Sequence, residues 1–311
     1  MPFLTIFTAP KPFTHPHIAL IQRNALRSWQ ALGDEVEVLV IGDEPGVAET
    51  TAELGIRHLP DVARNSYGTP IIGSLFNQAR ENGSGDLLAY VNADILLLPD
   101  FLTCAKAVAA QADQFLLVGQ RWDLNVKEPL DFTSGYEQRL RDLIQRSGTL
   151  HPAVGSDYFI FPRSTFKQIP AMAVGRAGWD NWMIFAGRFH HYKVVDATGS
   201  INIIHQNHDY SHLPDGKPHY RLPETDDNVR SGGGRVTIFN LEDSSHRLRD
   251  GRLASIPFTK RRFWREFEIF PLVKLRSMAL GWLFFALFHP VLGLGELRFA
   301  LSRLKKSIVK G

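Results

Sequence analysis

The chain has little cysteine and no evident internal repeat. Its 311 residues contain a single cysteine, Cys104. An internal disulfide bond is therefore excluded, which suits a protein of the reducing cytoplasm. The N-terminal stretch MPFLTIFTAPKPF has no basic region followed by a long apolar segment. We therefore expect no secretory signal there.

The composition is typical of a folded protein, but charge is unevenly distributed along the chain. Hydrophobic residues make up 44% of the chain and charged residues 22%. Residues 260–311 contain eleven Lys and Arg against three Glu, which gives this segment +8 and leaves −5 for residues 1–259. A basic tail on a mildly acidic body indicates an anionic partner for the tail.

Apolar runs rich in β-forming residues alternate with segments of helical periodicity. We predict strands at 3–9, 35–44, 56–59 and 85–94, and helices at 18–32, 48–54 and 68–82, the last capped by Thr69. This alternation predicts an α/β fold with a mostly parallel sheet covered by helices on both faces. Further along we predict strands at 114–124, 156–166 and 201–212, an aromatic helix at 175–188 and a long loop at 213–235.

Polar side chains follow three of the predicted strands. Thr8 and Lys11 lie at the end of the first strand, Asp43 at the end of the second, and Asn92 and Asp94 at the end of the fourth. Ligands of parallel α/β sheets bind beyond the carboxyl ends of the strands. We therefore predict that these side chains border one crevice.

The tripeptide Asn92-Ala93-Asp94 interrupts an apolar run at residues 87–98. A buried carboxylate without a partner is expensive, so a positive charge is expected opposite Asp94. If the backbone stays extended, Asn92 and Asp94 direct their oxygens to the same side, which suits a divalent cation that also binds phosphate. The alternative is a capped turn before a helix that begins near Pro99.

Three histidines, His205, His208 and His212, follow a predicted strand at spacings of three and four. This spacing places side chains on one face of a helix, and with a nearby Asp the group forms a candidate zinc site. The alternative is that each histidine is an ordinary polar loop residue.

On these features the sequence resembles the nucleotide-sugar-dependent glycosyltransferases of the GT-A fold, close to the family 2-like group. The matching stretches are FLTIFTA, VLVIGD, YVNADILLLPDF in the place of the family's DxD motif, and GWDNW, where many members carry an acid on the acceptor side. The resemblance extends over residues 3–210. Asn92 replaces the first Asp of the motif, so it is expected either to weaken metal binding or to contact the sugar or ribose.

The resemblance implies a metal-dependent donor site. Asp94 is expected to hold Mg²⁺ or Mn²⁺, which neutralises the charge that develops on a nucleoside diphosphate leaving group. His205 or His208 is expected to complete the metal shell or to contact the diphosphate.

The same resemblance implies a nucleotide pocket around the first two strands. Asp43 is expected to bond the nucleobase or ribose, with Thr8 and Lys11 at the border of the pocket. Arg64 is a candidate phosphate contact, with a surface ion pair as the alternative.

The stretch GWDNW predicts the acceptor side. Trp179 offers an aromatic face for a sugar, and Asp180 is the candidate base that takes the acceptor's proton if the reaction inverts the anomeric carbon. Asp157, in GSDYF, is the rival base. The alternatives are that Trp179 and Trp182 are core aromatics, that Asp180 caps a helix and that Asp157 is a turn residue.

The tail contains the almost wholly apolar stretch MALGWLFFALFHPVLGL at residues 278–294. This stretch is shorter than the ~20 residues of a membrane-spanning helix, and Pro290 interrupts it. Basic clusters flank it at 260–265 and 303–306. The pattern predicts an interfacial anchor on an anionic membrane surface. The alternative is a pair of helices that pack on the catalytic domain or in a dimer.

We therefore predict a GT-A-like catalytic domain at residues 1–212, a flexible connecting segment at 213–259 and a basic-hydrophobic helical extension at 260–311. The protein is expected to transfer a sugar from a nucleotide-diphosphate donor to a lipid-linked or polysaccharide acceptor, with no nucleic acid partner. Its expected location is the cytoplasm, peripherally attached to the inner face of a membrane.

Three other functions stay open. A sugar nucleotidyltransferase of related fold usually begins with a Gly-rich loop, whereas the loop APKPFTHPH has no glycine. A non-catalytic membrane-associated binding protein would bind no nucleotide together with metal. A zinc hydrolase built on the histidines would contain bound zinc.

Overall fold

The computed structural model describes residues 1–209 and 222–296, which belong to two compact units. The first unit holds residues 1–187 and 192–256, and the second holds residues 188–191 and the chain from Pro257 onward. Several features predicted above fall wholly or partly outside the described residues. They are the strand at 201–212 with His212, the loop at 213–235, and the extension at 260–311 with its basic cluster at 303–306.

Strands and helices alternate in the first unit as predicted. Its first half contains β1 (Leu4–Thr8), α1 (Pro16–Gln30), β2 (Val36–Ile41), α2 (Val47–Leu54), β3 (Arg57–Leu59), α3 (Ile72–Asn82), β4 (Leu87–Val91), β5 (Ile95–Leu96) and α4 (Asp100–Ala109). Then follow β6 (Phe115–Val118), β7 (Trp122–Leu124), α5 (Tyr136–Ser147), β8 (Thr149–Leu150), β9 (Tyr158–Pro162), α6 (Trp179–Phe189), β10 (Lys193–Asp196) and β11 (Ile204–Gln206). The last elements are α7 (Pro223–Ser231), β12 (His246–Arg249) and β13 (Arg252–Ser255).

A nine-stranded sheet has the order β13-β12-β10-β6-β9-β4-β1-β2-β3. Its pairings are parallel except where β9 and β13 meet their neighbours. Seven strands therefore share one direction, and their carboxyl ends lie at one edge. The predicted α/β class with a mostly parallel sheet is confirmed.

Both faces of β1 are buried because different helices cover them. Leu4 and Ile6 pack in one cluster with Trp29 of α1. Phe7 points to the opposite face, as alternate strand residues do, and its ring centroid lies 5.1 Å from that of Phe76 on α3. Two-sided burial explains why apolar residues of this strand point to both of its faces.

A smaller sheet has the order β5-β11-β7-β8. The strand predicted at 114–124 is divided between the two sheets, since β6 ends at Val118 and β7 begins at Trp122. Gly119 lies at the division. A Cβ at this position would come 2.7 Å from the Tyr158 hydroxyl oxygen, so the chain needs a glycine to pass.

Several local predictions are corrected by the structure. Thr69 does not cap α3, which begins at Ile72, because Ile71 is extended and bridges to Ala173. His205 lies on strand β11, so the helical face predicted for the histidines is wrong. Helix α5 and strand β10 were not predicted. Residues 222–255 of the predicted connecting segment contain α7, β12 and β13, whereas the three-region division itself stays a prediction.

The second unit contains α8 (Lys260–Val273) and α9 (Met278–Phe288). The helices pack through aromatic side chains, with the ring of Phe267 5.6 Å from that of Phe284. The buried Glu268 accepts from Arg265 (2.9 Å) and contacts His289 (2.9 Å). Within the two described stretches of chain, no helix has both the length and the apolarity needed to span a bilayer.

Candidate active site

The Asn92-Ala93-Asp94 turn lies where the chain leaves the large sheet. β4 ends at Val91, the Ile95 N–H donates to the Asn92 carbonyl (3.1 Å), and the chain continues as β5 in the small sheet. The apolar run is thus interrupted at the carboxyl edge of the parallel strands. The turn leaves Asp94 only 7% exposed.

Strand pairing brings a histidine beside Asp94. β11 pairs with β5 so that His205 lies opposite Ile95. The Gln206 N–H donates to the Asp94 carbonyl (3.2 Å), and the buried Gln206 amide donates to the same oxygen (3.1 Å). His205 therefore reaches the site through a backbone ladder and not through helical spacing.

Lys11 supplies the positive charge that the buried carboxylate requires. Its Nζ lies 2.8 Å from Asp94 Oδ2. The buried Gln22 side chain, on α1, accepts from the Lys11 N–H (2.7 Å) and donates to the Lys11 carbonyl (2.9 Å). These two hydrogen bonds hold the Lys11 backbone in place after β1. Thr8, the last residue of β1, is buried, and its hydroxyl has no hydrogen-bond partner among the described residues.

His208 completes a group of three potential metal ligands. Its Nε2 lies 3.1 Å from Asp94 Oδ2, and the ligand atoms of Asp94, His205 and His208 all lie within 4.8 Å of one another. Asp94 Oδ1 is buried without a hydrogen-bond partner in the part of the chain that the structure describes. One carboxylate and two imidazoles form a donor set for Mn²⁺ or Zn²⁺. The three residues predicted to bind metal therefore fit a divalent cation.

Asp94 keeps its charge despite its burial. Burial alone raises the pKa of a carboxyl group, but the Lys11 ammonium holds the pKa of Asp94 well below its usual range. The carboxylate is therefore ionised at neutral pH, as a metal ligand must be.

A second charged group is centred on Arg121. The guanidinium donates to both Asp157 oxygens (2.9 and 2.8 Å) and, through Nε, to Asp123 Oδ1 (2.8 Å). Asn92 donates from its side-chain amide to Asp157 Oδ1 (2.8 Å) and from its backbone N–H to the Asp157 carbonyl (2.9 Å). Asn92 is thereby tied to Asp157 by both its side chain and its backbone.

Asp123 joins the two groups. Its Oδ1 lies 3.1 Å from His205 Nδ1, within ion-pairing distance but without the direction of a hydrogen bond, and its Oδ2 lies 2.9 Å from His151 Nδ1. Burial would raise the pKa of Asp123, but His205 and Arg121 hold it well below its usual range. The two groups therefore form one continuous polar network.

The network has an excess of negative charge. Three carboxylates, Asp94, Asp123 and Asp157, face two cations, Lys11 and Arg121. With neutral histidines this leaves a charge of −1, so one further cation improves the balance.

Sequence reasoning missed Arg121, Asp123 and His151. A signal was present in the RWD triplet near the end of the strand predicted at 114–124. Arg121 and Asp157 are 36 residues apart, however, and no local spacing joins them.

Trp179 and Asp180 begin α6 in different surroundings. Trp179 is 4% exposed and packs against Tyr90 (4.9 Å between ring centroids) and Phe159 (5.1 Å). This packing matches the core alternative, so Trp179 is not included in the proposed sugar site. Asp180 accepts from the Gly178 N–H (3.2 Å), and burial raises the pKa of Asp180 to about 6. Asp157, by contrast, has both of its oxygens hydrogen-bonded to Arg121.

Asp43 and Arg64 meet at the end of β2. Arg64 pairs with Asp43 and also donates to Glu44 Oε1 (2.7 Å) and the Gly68 carbonyl (2.7 Å). The hydrogen bond from Arg64 lowers the pKa of Asp43. The ion pair given above as the alternative for Arg64 is thus present. Because β2 is parallel to β1, both residues lie at the same sheet edge as Thr8.

Neither a protein-family model nor a curated protein matches this chain. Several solved structures, however, are similar to this chain. One is S. aureus TarS in complex with UDP-GlcNAc, at 17% identity over 42% of this chain and 37% of that chain, with a TM-score of 0.31. The chain thus spans less than two fifths of that structure.

Two further solved structures cover more of the chain. M. tuberculosis glucosyl-3-phosphoglycerate synthase with Mn²⁺, UDP and glucosyl-3-phosphoglycerate is 13% identical over 83% of this chain and 88% of that chain, with a TM-score of 0.44. The Pyrobaculum calidifontis mannosyltransferase PcManGT with GDP-Man and Mn²⁺ is 14% identical over 76% and 62%, with a TM-score of 0.42. Structures with nucleotides and Mn²⁺ are thus among those similar to this chain. At these TM-scores the similarities assign no residue role.

We expect Arg121→Met to lower the free energy of unfolding by about 3 kcal/mol, because it leaves Asp157 and Asp123 without their main cation in a mostly buried site. Urea unfolding at pH 7 measures the loss. Arg23→Met is the matched control, since Arg23 pairs with the exposed Glu53 (2.6 Å) and should cost less than about 1 kcal/mol. Equal losses in the two variants would contradict the structural role of Arg121.

Proposed function

We propose that this protein is a nucleotide-sugar-dependent glycosyltransferase with its donor site at the carboxyl edge of β1, β2 and β4. The observation that carries the proposal is the ionised, buried Asp94 with Lys11, His205 and His208 around it. A site that combines a divalent-metal donor set with a lysine suits a diphosphate, whose oxygens bind both. Its position beyond parallel strand ends is where α/β sheets bind ligands.

Asp94, His205 and His208 would hold the metal. When bound, the metal neutralises the charge on the departing nucleoside diphosphate. We favour Mn²⁺ over Mg²⁺, because Mg²⁺ prefers oxygen ligands and an octahedral shell, whereas two of these three ligands are imidazoles.

The nucleotide part of the donor is assigned to the neighbouring strand ends. Thr8 offers a buried hydroxyl without a partner among the described residues, and Asp43 with Arg64 lies beside it at the end of β2. A ribose or nucleobase requires such hydroxyl and carboxylate partners. Asn92 is assigned to the sugar side, where its contact with Asp157 orients it.

Asp180 is the proposed base. Its raised pKa lets it take a proton from an acceptor hydroxyl at neutral pH. Asp157, held by Arg121 and Asn92, is proposed to position the loop that precedes β9. This assignment applies to a reaction that inverts the anomeric carbon.

The acceptor is proposed to be lipid-linked or a polysaccharide at the cytoplasmic face of a membrane. The second unit exposes large apolar side chains, among them Phe258 (80% exposed), Trp264 (49%), Leu283 (53%) and Leu287 (67%). Lys260 and Lys274 belong to the same unit. Exposed apolar residues beside basic residues complement an anionic lipid surface.

Nucleotide binding tests the main proposal. We expect UDP or GDP with Mn²⁺ to raise the melting temperature by about 5 °C at a hundredfold excess over Kd, by mass action. Asp94→Asn should abolish this metal-dependent shift. Asp113→Asn, an exposed carboxylate outside the network, should leave it intact.

The absence of any shift with all common nucleoside diphosphates in the wild-type protein would overturn the proposal. Zinc that copurifies in stoichiometric amount, without nucleotide binding, would instead favour a zinc hydrolase on the same three ligands. Elemental analysis of the purified protein separates these two functions.

The rate of sugar transfer is expected to depend on Asp180. The wild-type rate should rise with pH and reach a plateau above about pH 6, because a carboxyl group with a pKa of about 6 acts as base only when ionised. Asp180→Asn should reduce the rate about 10²–10⁴-fold while the nucleotide-induced melting shift is retained. An unchanged rate would exclude Asp180 as the base.

Membrane attachment is tested by vesicle flotation. The wild-type protein should float with phosphatidylcholine vesicles that contain phosphatidylglycerol, and less at high salt. Leu283→Glu with Leu287→Glu should abolish flotation, since two charges enter the exposed apolar face. Gln138→Glu with Gln145→Glu makes the same charge change on α5 and should leave flotation intact. Flotation that survives the leucine changes would contradict the assignment of this surface.

A further inference from the structure

The Lys11 ammonium lies between two of the three potential metal ligands. Its Nζ is 2.8 Å from Asp94 Oδ2 and 2.9 Å from His208 Nε2. These are the carboxylate oxygen and the imidazole nitrogen that a divalent cation would share. The lysine therefore occupies the position of a cation with respect to both groups.

The hydrogen-bond pattern of His208 identifies which nitrogen can bind a cation. Nδ1 lies 2.8 Å from the Asp209 carbonyl, and a carbonyl can only accept, so Nδ1 carries the proton. Nε2 is 2.9 Å from the Lys11 ammonium, which can only donate, and 3.1 Å from Asp94 Oδ2. The shorter contact and the proton on Nδ1 together make Nε2 an acceptor. The His208 lone pair is thus directed at the lysine nitrogen.

We propose, on the basis of the proposed metal-dependent function, that Lys11 is a resident counterion which the metal displaces and which the donor diphosphate then binds. Metal and ammonium compete for Asp94 Oδ2 and His208 Nε2. In the absence of nucleotide the competition weakens metal binding. A diphosphate offers the displaced ammonium new anionic partners, so nucleotide and metal strengthen the binding of each other.

The structure around Lys11 allows this exchange without movement of the loop. The two hydrogen bonds from Gln22 fix the Lys11 backbone, so the ammonium can change partners by rotation of its own side chain. The Lys11 side chain is 30% exposed, which gives it an open route toward the crevice. Asp94 Oδ1 stays without a hydrogen-bond partner within residues 1–209 and 222–296, so this oxygen is available to a metal from the outset.

Mn²⁺ binding measured by electron paramagnetic resonance tests the inference. For the wild-type protein we expect weak binding of Mn²⁺ alone and tighter binding with UDP or GDP. In Lys11→Met the affinity for Mn²⁺ alone should rise about tenfold, and the gain from nucleotide should shrink by a similar factor, which is within the usual range of coupling between sites. Lys167→Met removes an exposed lysine and should change neither value.

Lys11→Met that binds Mn²⁺ no more tightly than the wild type, in a protein that binds Mn²⁺ together with UDP or GDP, would overturn the inference and leave the proposed function intact. Failure of the wild type to bind Mn²⁺ with any nucleotide, together with failure of Lys11→Met to bind Mn²⁺ alone, would overturn both. If Lys11→Met does not fold, Lys11→Gln keeps an N–H donor for Asp94 without the charge, and the same tenfold rise is expected.

Discussion

A carboxylate buried at the edge of a parallel sheet has to be matched by positive charge, and the site is organised by how Asp94 meets this need. Two chain segments far apart in sequence converge on it, the loop after β1 with Lys11 and the end of β11 with His205 and His208. A buried charge without partners costs several kcal/mol, so the loop and the strand are positioned with little freedom.

Two nearby carboxylates acquire different properties from their surroundings. Asp157 binds a guanidinium with both oxygens, whereas Asp180 sits at the start of a helix with a backbone N–H as a partner. The charge of Asp157 also raises the pKa of Asp180. This difference in environment is the basis for the proposed roles of Asp157 as an anchor and Asp180 as the base.

The sequence predicted those features of the fold and of the site that depend on residues close together in the chain. The β1, β2 and β4 strands were recognised from apolar runs, and the polar residues at their ends do lie at one edge, because parallel strands put all carboxyl ends together. The three residues predicted as metal ligands do lie together, although His205 is on a strand and not on the predicted helix. Their proximity comes from the pairing of β11 with β5.

The other features of the site could not be predicted from one sequence, because they depend on contacts between segments that are distant in the chain. Arg121 reaches Asp157 across 36 positions, and the division of the 114–124 segment depends on how closely Gly119 passes Tyr158. For Trp179 the sequence suggested a sugar-binding role, whereas the side chain is buried in the core. An aromatic residue next to an acidic residue is compatible with a sugar-binding site. The burial of Trp179 against Tyr90, however, results from the packing of α6 on the sheet.

The small sheet has a consequence for how this protein tolerates insertions. β11 is three residues long and lies between β5 and β7, with His205 opposite Ile95 on one side and Asp123 on the other. A shift of one residue would turn the histidine to the opposite face of the sheet and put Ile204 or Gln206 in its place. A length change within the three residues of this strand is therefore incompatible with the site. The position of His205 in the site thus depends on the register of one very short strand.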